Sequence, residues 1–189
     1  MLKSNIIWPK HRRYKSRTEW EPVGFFSDCL CNAYRFDLML GFFSTSAISV
    51  LANGFATFLY NGGRMRLIIN DILSEEDKAA IQKGKATDDL PYFDLTNIHQ
   101  IKDTLSERDR HFFDCIAWLI RNDRIEIKII SPKSGVGISH TKAGVFYDRT
   151  NESFASCASF RSYEEIEADG KLVVATNATF PPYEFRDDN

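Results

Sequence analysis

His140 and Lys142 stand two residues apart in the stretch ISHTKAGVFYD, at the head of an alternating apolar run. In a strand, residues i and i+2 point to the same side, so the imidazole and the ammonium would project together from one end of a rigid sheet. Such a pair suits a phosphodiester, because an imidazole can attack phosphorus while an ammonium offsets charge on the non-bridging oxygens. The spacing alone is weak, since a His-x-Lys arises by chance in roughly one chain in four of this composition. The alternative is a polar start to an ordinary strand.

The elements that must position the pair follow from periodicity. Pro22 opens a segment with Val23, Phe26, Leu30 and Ala33 at near-helical spacing, which predicts a short helix. The run DLMLGFF predicts a buried strand, and STSAISVLANGFATFLYNGG a helix with Ile48, Leu51, Phe55, Phe58 and Leu59 on one face, stopped by Asn61-Gly62-Gly63. RMRLIIN then reads as a second strand, giving a βαβ unit with a parallel pair. Ser74 with Asp77 three residues on caps a short helix ending at Gly84. Residues 85–97 read as loop, and 103–122 as one helix with a stripe of Leu105, Phe112, Ile116, Leu119 and Ile120. RIEIKII is a strand, 132–137 a break, HTKAGVFY a further strand, and RTNE the turn of a hairpin into SFASCAS.

With 43% hydrophobic and 13% aromatic residues, 189 residues can bury a proper core as one domain. The net charge of -2 gives no global pull toward nucleic acid, so any polyanion site must come from local clustering. One cluster is Lys10, His11, Arg12, Arg13, Lys15 and Arg17, which reads as a solvated tail in preference to a phosphate contact. Cysteines 29, 31, 115 and 157 lack both zinc-ribbon spacing and disulfide density, so they read as reduced thiols. No signal-peptide core and no membrane-length apolar segment is present. A cytoplasmic location with no membrane partner is the expectation.

Three stretches, GFFSTSAISVLANGFATFLYNGGRMRLIINDILSEED, AWLIRNDRIEIKIISPKSG and HTKAGVFYDRTNESFASCASF, together resemble the phospholipase D superfamily domain that precedes DEAD/DEAH-type helicases in bacterial defence and restriction proteins. The likeness covers roughly residues 20 to 160 and rests on the order of elements as well as on the His-x-Lys strand. It implies an α/β fold with a mixed, largely parallel sheet flanked by helices. It also implies metal-independent phosphodiesterase chemistry on DNA, with no cofactor, in which one histidine is phosphorylated and a second protonates the leaving oxygen. A chain with a single His-x-Lys would then act as a homodimer around a shared cleft, with a helicase as partner or fused domain. On this resemblance His140 is nucleophile or general acid, Lys142 the phosphate clamp, Asp148 the motif's acidic member, and Cys157 and Ser159 belong to the substrate-binding element.

Two positions depart from the family pattern. Asp148 lies one place further from the lysine than usual, which on a strand turns it to the other face unless a bulge intervenes. The Gly-Ser-x-Asn element reads Ser156-Cys157-Ala158-Ser159 here, replacing an amide by a hydroxyl and a hydroxyl by a thiol, which implies weaker phosphate binding. A catalytically impaired nucleic-acid-binding or dimerisation module is therefore the alternative. The last stretch, GKLVVATNATFPPYEFRDDN, resembles the opening of amino-acid solute-binding proteins, but is far too short to form one. The chain thus divides into a basic segment 1–19, a domain 20–162, and a strand and tail 163–189. Trp118, Phe112 and Phe113 read as core, His99 and His111 as surface residues, and Arg64 and Arg66 share one strand face, as a basic floor or simply for solubility.

Overall fold

A computed structural model describes residues 1–10, 13–86, 89–131 and 142–150, together with the backbone of strands 153–157, 173–174 and 176–177. The architecture is mixed α/β. Helix α1 (Leu2–Asn5) and strand β1 (Tyr14–Lys15) precede helix α2 (Pro22–Asn32), with Pro22 in its first turn, where a missing N–H costs nothing. Strand β2 (Arg35–Leu40) leads through α3 (Ser46–Val50) and α4 (Ala52–Tyr60) to β3 (Arg64–Asn70). Helices α5 (Glu75–Lys85), α6 (Ile98–Ser106) and α7 (Arg110–Arg121) then lead to β4 (Ile125–Ile130). The hairpin of β5 (Ala143–Tyr147) and β6 (Ser153–Cys157) follows, with β7 (Val173–Val174) and β8 (Thr176–Asn177) last.

The main sheet has the order β4-β3-β2-β5-β6-β7. Strands β2, β3 and β4 run parallel, β5 is antiparallel to both β2 and β6, and β7 runs parallel to β6. The parallel pair and the hairpin are as the sequence predicts. Residues 171–177, expected to add one strand, supply two short ones, since β8 pairs with β1 outside the main sheet.

Alternation divides the sheet into two faces. Phe36, Met65, Leu67, Ile69, Ile125, Ile127 and Phe146 are buried on one, where the rings of Phe36 and Phe146 stack at 4.0 Å. Phe25 of α2 meets Phe146 edge-on at 6.0 Å on that side, and successive contacts join α2, α4, α6, α7 and α5. Crossovers between parallel strands are right-handed as a rule, so the two that step in one direction, β2 to β3 to β4, place their helices on one face, and α2, ahead of β2, joins that layer through Phe25. The opposite face carries Arg35, Asp37, Arg64, Arg66, Glu126 and Lys128.

Two helices expected as single units are each broken. Leu51, at φ -102° and ψ 21°, separates α3 from α4. The helix expected over 103–122 starts earlier, capped by Asn97, and stops at Glu107, which is extended; Asp109 then caps α7 by accepting the Phe112 N–H at 2.9 Å. Leu105 and Phe112 are seven residues apart, two helical turns, so the apolar stripe looks the same with or without the break. Gly62, at φ +83°, closes α4 as the Asn-Gly-Gly stop predicts. A Cβ on Gly63 would lie 2.5 Å from the Phe58 carbonyl oxygen, so this turn into β3 admits only glycine.

The amino terminus is more than a tail. Leu2, Ile6 and Tyr14 are buried, with Tyr14 4.9 Å from Phe25, while the Lys10, Arg13, Lys15 and Arg17 side chains face solvent. His11 and Arg12 lie outside the described residues.

Candidate functional site

Strand β5 is interior to the sheet, and its start pairs Ala143 with Met39 near the carboxyl end of β2. Lys142 immediately precedes it and is exposed, level with Leu40. By alternation it projects on the helix-covered side, toward the loop that follows β2. The chain steps from β2 to β3 to β4 in one direction and then places β5 on the other side of β2. The carboxyl end of β2 beside β5 is thus the point where strand order reverses, the position at which open α/β sheets bind ligands.

The backbone brings Cys157 to this same edge, because Cys157 pairs with Ala143 across the hairpin. His140 and Ser159 lie outside the described residues. Asp148 is placed elsewhere: it follows the far end of β5, six residues or about 20 Å from Lys142. There it is 2% exposed and accepts the Leu2 N–H at 2.8 Å, the Thr150 N–H at 2.9 Å and the Thr150 hydroxyl at 2.6 Å. Its carboxylate holds the first helix and the hairpin turn, and β5 does not bring it together with Lys142.

The loop after β2 is held from two sides. Asn70, at the end of β3 and 4% exposed, donates its amide to the Gly41 carbonyl at 2.6 Å. Buried Thr45 donates its hydroxyl to Asp77 Oδ1 at 2.6 Å, and Arg108 reaches both, 3.3 Å from the Thr45 hydroxyl and 3.6 Å from Asp77. Asp77 is fully buried, its N–H bonds the Ser74 cap, and its Oδ2 accepts no hydrogen bond. The sequence marks Asp77 only as a capping partner. Nothing in local spacing couples it to Thr45 or Arg108, which lie about thirty residues away on either side.

On the open face, Asp37 is clamped by Arg66 at 2.5 Å and by Arg35 at 2.5 Å, and the Arg35 guanidinium also covers the Tyr147 ring at 4.2 Å. Burial pushes the Asp37 carboxyl up, but the hydrogen bonds and charges of Arg66 and Arg35 outweigh it and hold it below the usual value. Lys128 lies 3.4 Å from Glu126 on the next strand. Arg66 is therefore paired with Asp37 on the face that Arg64 shares, and β3, which carries both, is interior to the sheet.

Burial pushes the Cys115 thiol up to about 12, and burial with the charge of Asp28 also raises Cys29, so neither is a nucleophile. His99 and His111 are exposed and border an open groove between α6 and α7, with His111 against Phe93 at 4.9 Å. Phe112 is fully buried and Phe113 and Trp118 pack against the core, as their spacing predicts. Among the described residues no three His, Cys, Asp or Glu side chains converge to hold a metal ion. No helix of the described residues is long and apolar enough to cross a membrane. No family model, curated protein or solved structure matches the chain.

Proposed function

We propose that this chain is a metal-independent phosphodiesterase acting on DNA through His140 and Lys142, working as a homodimer of a phospholipase D-like domain. The observation that carries the reading is the position of Lys142, exposed at the start of an interior strand where the strand order reverses. In this chemistry the His140 imidazole attacks phosphorus and the bond to the leaving oxygen breaks. That oxygen takes its proton from His140 of the partner subunit, and Lys142 offsets charge on the non-bridging oxygens. Water, deprotonated by the imidazole so formed, then attacks phosphorus, the P–N bond breaks, and free His140 returns.

Hydrolysis of single- or double-stranded DNA, or of bis(p-nitrophenyl) phosphate, is expected to survive EDTA, to vanish in His140→Ala, and to fall roughly tenfold to a hundredfold in Lys142→Ala. Loss to the chelator alone overturns the reading.

A second reading, a domain that binds nucleic acid without turnover, is favoured by Cys157, which stands at the Lys142 edge where the resembled family has a hydroxyl. The triple variant Ser156→Gly, Cys157→Ser, Ser159→Asn separates the two. Restored hydrogen bonds to a charged group, at about 1.5 to 3 kcal/mol each, raise an impaired rate roughly tenfold or more apiece. A folded, dimeric triple variant with no gain points to binding only.

A further inference from the structure

We propose that the open face of the sheet, across β2, β3 and β4, is a track for the phosphate backbone of single-stranded nucleic acid. This goes beyond the reading above and does not rest on it, since it uses neither His140 nor Lys142.

The first observation is charge. Register places Arg35 beside Arg64, Asp37 beside Arg66, and Arg66 beside Glu126, so these side chains share one face with Lys128. Four cations and two carboxylates make this surface positive on a chain whose net charge is -2. The two carboxylates are not equally presented. Asp37 is only 19% exposed and both its oxygens are occupied by arginines, whereas Arg66 is 53% and Lys128 70% exposed. A polyanion approaching this face therefore meets guanidinium and ammonium groups before it meets Asp37.

The second observation is shape. The six strands of the main sheet, about 4.8 Å apart, span roughly 24 Å, about twice the ~12 Å major groove of a duplex, so this face does not enter it. The same breadth accepts an extended single strand. Arg64 and Arg66 are two residues apart on β3, hence about 7 Å, so a strand stretched to roughly twice its 3.4 Å B-form rise would set one phosphate over each. In the same register row as Lys128, next to the Asp37–Arg66–Glu126 row, lie Met39 and Ile68, both partly exposed, which give unstacked bases an apolar floor.

The test is fluorescence anisotropy of a 5′-labelled dT20 oligonucleotide, in EDTA, over a salt series. Binding requires no turnover, so a failure of hydrolysis leaves this measurement readable. The wild type is expected to bind with an affinity that falls steeply with salt. Arg64→Ala with Lys128→Ala removes two phosphate contacts. Each is worth roughly 0.7 in the slope of log K against log salt, so the pair flattens that slope by about 1.4 and weakens binding roughly 25-fold at 0.1 M salt. Glu126→Gln removes the exposed carboxylate beside Lys128 and tightens binding by roughly two- to fivefold, a gain that misfolding cannot produce. Lys10→Ala with Arg13→Ala, which strips exposed amino-terminal cations, leaves affinity unchanged. Overturning results are absence of binding at 50 mM salt, an unchanged slope in the Arg64/Lys128 variant, loss caused instead by the Lys10/Arg13 variant, or stronger competition from a duplex of equal length.

Discussion

A buried carboxylate needs partners, and Asp148 has three donors arranged around it: the first N–H of α1 and both donors of Thr150. Its place in the sequence suggests the acidic member of a catalytic motif, while its place in the fold is that of a fastener between the amino terminus and the hairpin. Replacing it by alanine strands a buried N–H as well as removing an anion. Asp148→Ala is therefore expected to lower stability by about 3 kcal/mol in urea denaturation, with hydrolysis per folded molecule changing far less than in His140→Ala. Equal collapse of turnover in a variant of unchanged stability would return Asp148 to the chemistry. The burial that raises Cys115 and Cys29 similarly assigns those thiols to the core.

Strands β2 and β3 are joined by their ladder and also by the Arg35–Asp37–Arg66 cluster, which ties neighbouring strands across the open face. The folded Asp37 carboxyl lies below its unfolded value, so its contribution is fully present above the ordinary carboxylate pKa of about 4 and is lost as pH falls through the lower folded value. Both arginines are partly solvated, and screening limits the contribution to about 1 kcal/mol. Asp37→Asn should be less stable than wild type by that amount at pH 7, with the gap closing as pH drops below 4 in paired urea titrations. A gap that persists into acid would assign the loss to packing.

Across the whole molecule, Thr45, Asp77 and Arg108 tie together the loop after β2, the first turn of α5 and the connection between α6 and α7. They fix the carboxyl edge beside which Lys142 stands. Arg108→Ala leaves Asp77 buried without its cation and is expected to cost about 2 kcal/mol. Combining it with Asp77→Asn should cost less than the two single changes together by at least about 0.5 kcal/mol, since a neutral amide no longer needs the cation. Strict additivity in that double-mutant cycle would show that the contact at 3.6 Å carries no coupling.

Legible in the sequence were the βαβ unit, the Asn-Gly-Gly stop, the Ser74 cap and the existence of the β5–β6 hairpin, read there as strands over 140–147 and 153–159. These depend on periodicity and on capping or turn chemistry within a few residues, so neighbours along the chain suffice to specify them. The sequence did not determine the breaks at Leu51 and at 107–109, because the apolar stripe runs through both. The strand order that sets β5 against β2, and with it the edge shared by Lys142 and Cys157, emerges from the folded chain alone. It alone showed that Asp148 faces Leu2, that Asp77 meets Arg108, and that Arg66 is paired. Those facts depend on residues about thirty to nearly one hundred and fifty positions apart, whose meeting is fixed by how the whole chain buries its apolar surface, and no local pattern encodes it.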